Sequence, residues 1–128
     1  MAYLLDANVL IALVVREHEH HERASRWILQ GDRIALCSVV EGAMIRALLR
    51  LGESHATAVA ILTRLYDEAV EFWSDELAYV DVPMKHVTGH RQVTDAYLAE
   101  LAHRAGAKLA TFDRGLAASL PDRVELIQ

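Results

Sequence analysis

Cysteine is almost absent: among 128 residues only Cys37 occurs. One thiol excludes an intrachain disulfide and a thiolate metal cluster, and its place in the apolar stretch 34–40, with no histidine or base beside it, marks a buried thiol rather than a nucleophile. Positive charge is short as well. Thirteen Lys and Arg stand against eighteen Asp and Glu, a formal net charge of −5, which excludes holding nucleic acid by bulk electrostatics. Any polyanion must be held locally. No apolar run approaches the roughly 18 residues that span a bilayer, and the opening MAYLLDANVL lacks a basic leader and a small-residue cleavage site. The expectation is a soluble, cytoplasmic protein with no membrane partner. Repeats, low-complexity stretches and linkers are missing, so residues 1–128 are expected to form a single domain. What the chain has in surplus is apolar residues, 53% of the total, enough for a core and for a face that meets a subunit or partner.

These apolar residues fall into two periodicities. Short runs at 2–6 (AYLLD), 33–37 (RIALC), 77–82 (LAYVDV), 108–112 (KLATF) and 123–127 (RVELI) mostly lack polar alternation, as parallel strands buried on both faces do. Between them, helical patterns cover 8–14, 18–30, 39–51, 54–72 and 94–105, with breaks at Gly52-Glu53-Ser54, Asp81-Val82-Pro83 and Gly106 and a loop or short helix over 83–91. The alternation predicts an α/β fold around a central parallel sheet.

In such a sheet the carboxyl end of each strand meets the amino end of the next helix, and ligands bind along that edge. Asp6 ends the first strand among apolar neighbours, where a buried carboxylate requires a partner. Glu41 lies in the first turn of the helix after the second strand, with Ser38 as candidate cap; Asp95 lies in the first turn of the helix that Thr94 opens. Asp113 follows KLATF directly, and the lengths of helix and strand return it to the edge that holds Asp95. Four acids thus converge. Taken singly, Glu41 and Asp95 read more readily as dipole or capping partners than as ligands, and Asp113 more readily as the shaper of a D-R-G turn. Taken together they repel each other, and an all-oxygen ligand set of this kind suits Mg²⁺ or Mn²⁺.

Other features read as structural. The run EHEHHE (17–22) offers Glu17 with His21 and His18 with Glu22 at helical spacing, but a structural zinc needs four ligands, so a solvated helix start is expected. Trp27, Phe72 and Trp73 belong to amphipathic patterns and are expected in the core or an interface. Asp81 and Asp122 read as turn residues.

With the acids placed, LLDANVLIAL, SVVEGAMIR, GHRQVTDAYLAELA and KLATFDRGL together resemble the PIN-domain ribonucleases, and in particular the VapC-type toxins of type II toxin–antitoxin modules. The likeness runs from end to end. It implies a three-layer α/β/α fold with a five-stranded parallel sheet, a homodimer, Mg²⁺ or Mn²⁺ dependence, and selective endonucleolytic hydrolysis of RNA that leaves a 5′-phosphate and a 3′-hydroxyl and inhibits translation. It also implies a cognate VapB-type antitoxin and a toxin–antitoxin hetero-oligomer. The acidic pattern maps onto Asp6, Glu41, Asp95 and Asp113 as catalytic and metal-holding residues, with Asn8 and Thr111 orienting them; a turn bond and a plain strand position are the competing readings of those two. His90, Arg91, Gln92 and Arg114 are candidate phosphate contacts, with ion pairing to the acids as the alternative for the two arginines.

Two further classes compete. A haloacid-dehalogenase-like phosphatase also starts from an aspartate after the first strand, but needs a second acid two positions on, where this chain has Asn8. A receiver domain wants paired acids at the first strand, which are missing. A catalytically quiet PIN module that binds only protein is the reading outside enzymology, and the apolar faces at 9–15 and 56–70 are its candidate surfaces.

Overall fold

The computed structural model describes residues 1–128. Three four-residue apolar strands build the centre: β1 (Ala2–Leu5), β2 (Arg33–Leu36) and β4 (Lys108–Thr111). Leu4, Leu5, Ala35, Leu36, Leu109 and Ala110 are fully buried, because helices cover both faces of the sheet. With β3 (Glu71–Phe72) and β5 (Val124–Leu126) the sheet has the order β3-β2-β1-β4-β5, every pair parallel, in register Leu4 to Ala35 and Leu4 to Leu109. This is the α/β architecture the periodicities predict. The chain moves outward from β1 to β3, then returns to place β4 on the other side of β1. The order therefore reverses between β1 and β4, and the crevice beyond their carboxyl ends is where such sheets receive ligands.

Six helices connect the strands: α1 (Ala7–Val14), α2 (His21–Ile28), α3 (Ser38–Arg50), α4 (His55–Asp67), α5 (Val93–Arg104) and α6 (Arg114–Ser119). Ser54 caps α4, its Oγ accepting from Thr57 N–H at 3.1 Å. Residues 96–102 of α5 are all buried, so α5 is enclosed on every side rather than on one stripe. That enclosure includes Glu100, which accepts from Arg104 Nε at 2.9 Å and Arg123 Nη1 at 2.6 Å. Burial alone would raise its carboxyl, but the two arginines hold it below the ordinary value. No helix is long and apolar enough to cross a membrane.

The structure corrects several expectations. The third strand is Glu71–Phe72, not 77–82, and the helix expected over 54–72 stops at Asp67, where Ala69 turns the chain at φ 80°. A two-residue strand is too short to show a period. The run 77–82 mimics a strand because Leu77 and Val82 are buried anchors, yet it forms a single 3-10 turn at Tyr79–Asp81 with Val80 92% exposed. Helix α2 starts at His21, so the residues paired in EHEHHE do not share one helix face, and no group of three His, Cys, Asp or Glu there can hold a metal. Ser38 and Thr94 are not caps: each lies inside its helix, preceded by Cys37 and by Gln92–Val93. The D-R-G turn opens helix α6. Trp27 and Trp73 pack against the core, whereas Phe72 is half-exposed.

Candidate active site

Asp6 leaves β1 at the switch point with only 6% of its surface exposed. Both oxygens are held. Oδ1 accepts from the Ala7 N–H at 2.8 Å, which caps α1, and Oδ2 accepts from the Thr111 hydroxyl at 2.7 Å across the β1–β4 junction. Thr111, fully buried, accepts in turn from Asn8 Nδ2 at 3.3 Å and from the Asp113 N–H at 3.1 Å. Asn8 Oδ1 faces the Phe112 N–H at 3.5 Å. One clip of three side chains, Asp6, Asn8 and Thr111, thus ties the end of β1 to the end of β4. It also leaves Asn8 as a hydrogen-bonding brace at the position where a phosphatase needs an acid.

Asp113 caps α6, its Oδ1 accepting from Leu116 N–H at 3.0 Å. Asp95 stands half-buried in the first turn of α5. Burial, then the charges of Asp6 and Asp113, pushes its carboxyl up to about 6. Burial likewise raises Asp6, Thr111 and Ala7 work against that rise, and the charge of Asp113 adds to it. Three of the four predicted acids are therefore electrostatically coupled.

Glu41 lies at the same sheet edge, in the first turn of α3, but adds nothing to the charge felt by Asp6 or Asp95. Its Oε2 accepts from the Tyr66 hydroxyl at 2.6 Å, and burial followed by this bond drives the Tyr66 hydroxyl upward. The α3 amides, for which Ser38 was the candidate cap, are capped instead by Asp75, which accepts from Ser38 N–H at 2.8 Å and Val39 N–H at 3.2 Å. Cys37 lies beneath this cap, and burial pushes its thiol up to about 11, as expected of an inert core thiol.

Of the candidate phosphate contacts, Gln92 lines a small crevice with His86, Asp95, Asp113, Gly115 and Ser119. Its Oε1 is taken by the Thr88 hydroxyl at 3.1 Å and the Gly89 N–H at 3.3 Å, so its amide NH₂ is what it can offer a ligand. His90, Arg91 and Arg114 are exposed, and neither arginine pairs with an acid. Sequence reasoning missed Asp75 and His86. Both sit in the aperiodic segment between β3 and α5, where spacing carries no signal.

Known proteins share this fold. The family model described as PIN domain matches residues 3–119. Ribonuclease VapC29 from Mycobacterium tuberculosis is 48% identical over 119 residues, covering 91% of this chain and 90% of its own. Two solved structures share the fold over 100% of both chains: VapC20 from Mycobacterium tuberculosis, described as a Sarcin-Ricin loop cleaving toxin (TM-score 0.74, 17% identity), and VapBC2 from Rickettsia felis, bound to a DNA fragment from their promoter (TM-score 0.70, 14% identity).

Proposed function

The chain belongs to the PIN-domain family, among the VapC ribonucleases, and from that premise we propose that it is the toxin of a type II toxin–antitoxin module. It hydrolyses RNA phosphodiester bonds endonucleolytically, depends on a divalent cation, inhibits translation and is neutralised by a VapB-type antitoxin. The observation that carries this reading is the mutual electrostatic coupling of Asp6, Asp95 and Asp113 at the switch point of a parallel sheet.

Their chemistry fits a hard cation. All donors are carboxylate oxygens, Asp6 is fixed by two hydrogen bonds, and Asp95 has a raised carboxyl that a nearby positive charge would bring back to full ionisation. No three of these groups stand close enough to hold one ion together, so the convergence of four acids expected from the topology is incomplete, and a Mg²⁺ ion would take one or two carboxylates with water and substrate phosphate completing its shell. One or two of Asp6, Asp95 and Asp113 would hold the ion, with Glu41, restrained by Tyr66, at the margin. The chemistry that such an ion supplies when bound is neutralisation of the phosphate and activation of water near neutral pH. The chain's own contribution is geometry. Thr111 and Asn8 keep Asp6 and the Asp113 backbone in fixed relation, and Gln92 presents its amide to the strand entering the crevice.

The partners in this reading are an antitoxin in a hetero-oligomer, which the VapBC neighbour supports, and a second copy of this chain. Purified protein should cut total cellular RNA into discrete fragments with Mg²⁺ or Mn²⁺, and not with EDTA or as Asp6→Asn. A folded, ion-loaded protein free of antitoxin that leaves RNA intact would refute the reading in favour of a quiet binding module.

A further inference from the structure

Arg23, in the first turn of α2, is a cation without a counter-ion. The chain carries eighteen acidic residues, and its ion pairs engage Arg33, Arg64, Arg104 and Arg123, but none engages Arg23. Its guanidinium lies 4.5 Å over the centre of the Phe112 ring, and Nη2 donates to His20 Nδ1 at 3.1 Å. A guanidinium does not give up its proton, so His20 Nδ1 is the acceptor and the imidazole carries its hydrogen on Nε2, 3.4 Å from Glu19 Oε1. The His20 ring lies 5.0 Å from that of Phe112, tilted by 39°. Arg23 Nε is shielded from solvent and has no acceptor. The guanidinium is therefore braced by two rings, with most of its donors unused.

The place of this bracket matters. Phe112 stands between Thr111 and Asp113, with consecutive α carbons about 3.8 Å apart, and its N–H faces Asn8. Arg23 thus rests on the residue that joins two parts of the acid centre. One turn further along α2, exposed Arg26 lines a cavity together with Arg23, Trp27, Gln30, Glu125 and Gln128.

A polyanion approaching three coupled carboxylates in a chain of net charge −5 needs a fixed cation beside the point of cleavage. Arginine is suited to this, because it is weakly hydrated, stacks on rings and presents a fork to phosphate. We propose that Arg23, held by His20 and Phe112, is a phosphate contact for the single-stranded RNA flanking the scissile bond, distinct from His90, Arg91, Gln92 and Arg114. An acidic segment of a protein partner is the weaker occupant, since only a strand to be cut has to pass beside Asp113. The proposal rests on the ribonuclease reading.

The test measures binding of a labelled short single-stranded RNA by Asp95→Asn protein, which cannot cut it, between about 50 and 200 mM salt. Adding Arg23→Gln should lower the slope of log affinity against log salt by about 0.7, the increment of one single-strand phosphate contact. Adding Arg23→Lys should keep the slope. With Asp95 restored, Arg23→Gln should raise KM with kcat nearly unchanged, the mark of uniform binding. A folded Arg23→Gln protein whose slope equals its parent's overturns the proposal, and loss of antitoxin binding in that same protein would assign Arg23 to the protein partner. Parent protein that binds no RNA overturns the proposal together with the function beneath it, so the two failures are distinguishable.

Discussion

Deleting one charge from the acid centre should make the ion-free protein more stable while it abolishes cleavage. Asp95 shows the largest effect. Burial and the charges of Asp6 and Asp113 lift its carboxyl from 3.8 to about 6. A carboxyl raised on folding stabilises the fold only while it is protonated: the contribution is complete below about pH 4 and lost as pH rises through about 6. At about 1.4 kcal/mol per pH unit, the rise corresponds to about 3 kcal/mol. Roughly half the group faces solvent, and screening reduces this to about 1–2 kcal/mol. Asp95→Asn should recover that amount at neutral pH, because the amide fills the same space without charge.

The assay is thermal unfolding in EDTA from pH 4 to pH 8. For a chain of this length about 1–2 kcal/mol corresponds to about 4–7 °C in Tm. The variant should melt above its parent by that margin at pH 7.5, and the two curves should meet near pH 4. Adding Mg²⁺ should reverse the order, since an ion that binds only the folded parent stabilises it in proportion to the logarithm of its concentration over Kd. An Asn variant that melts at or below its parent at every pH in EDTA would refute the charge argument, whatever its activity.

Two further substitutions probe the supports of the centre. Thr111→Val removes the donor to Asp6 and the acceptor for the Asp113 N–H inside a fully buried site, and should cost about 1–3 kcal/mol in urea unfolding and most of the cleavage rate; wild-type values of both would show the clip to be ornamental. Tyr66→Phe removes the 2.6 Å bond to Glu41, at about 1 kcal/mol, and should raise the Mg²⁺ concentration needed for half-maximal cleavage; an unchanged titration would separate Glu41 from the ion.

The central strands and most helices were legible because apolar runs of four to five residues and stripes of ten or more leave unambiguous periods. β3 was not, because two residues carry no period, and Leu77 with Val82 imitated the missing strand. Asp6, Asp95 and Asp113 were legible from topology alone, since each is tied to a strand end or helix start whose position the sheet dictates. Asp75, Tyr66 and His86 were not: they reach their places through loops or from the far end of a helix, and only the folded chain brings Asp75 onto the α3 amides or Tyr66 onto Glu41. Arg23 belongs to the same group, since its tie to Phe112 spans most of the sequence.

Capping and ligation compete as explanations when an acid at a helix start is judged from sequence, yet in this fold a cap leaves room for ligation. Asp6 gives Oδ1 to the first amide of α1, and Asp113 gives Oδ1 to Leu116 in α6. Each bond fixes one oxygen and thereby the direction of the other: Asp6 Oδ2 toward Thr111, and Asp113 Oδ2 free of any protein donor. The fold supports this bend at Gly115, where a Cβ would stand 3.3 Å from Asp113 Oδ1, tighter than ordinary contact. Helix ends also lend partial positive charge, which lowers the repulsion among carboxylates brought this close. The caps are thus the means by which the chain gathers like charges and still folds, and the residual repulsion, concentrated on Asp95, is what a bound cation would relieve.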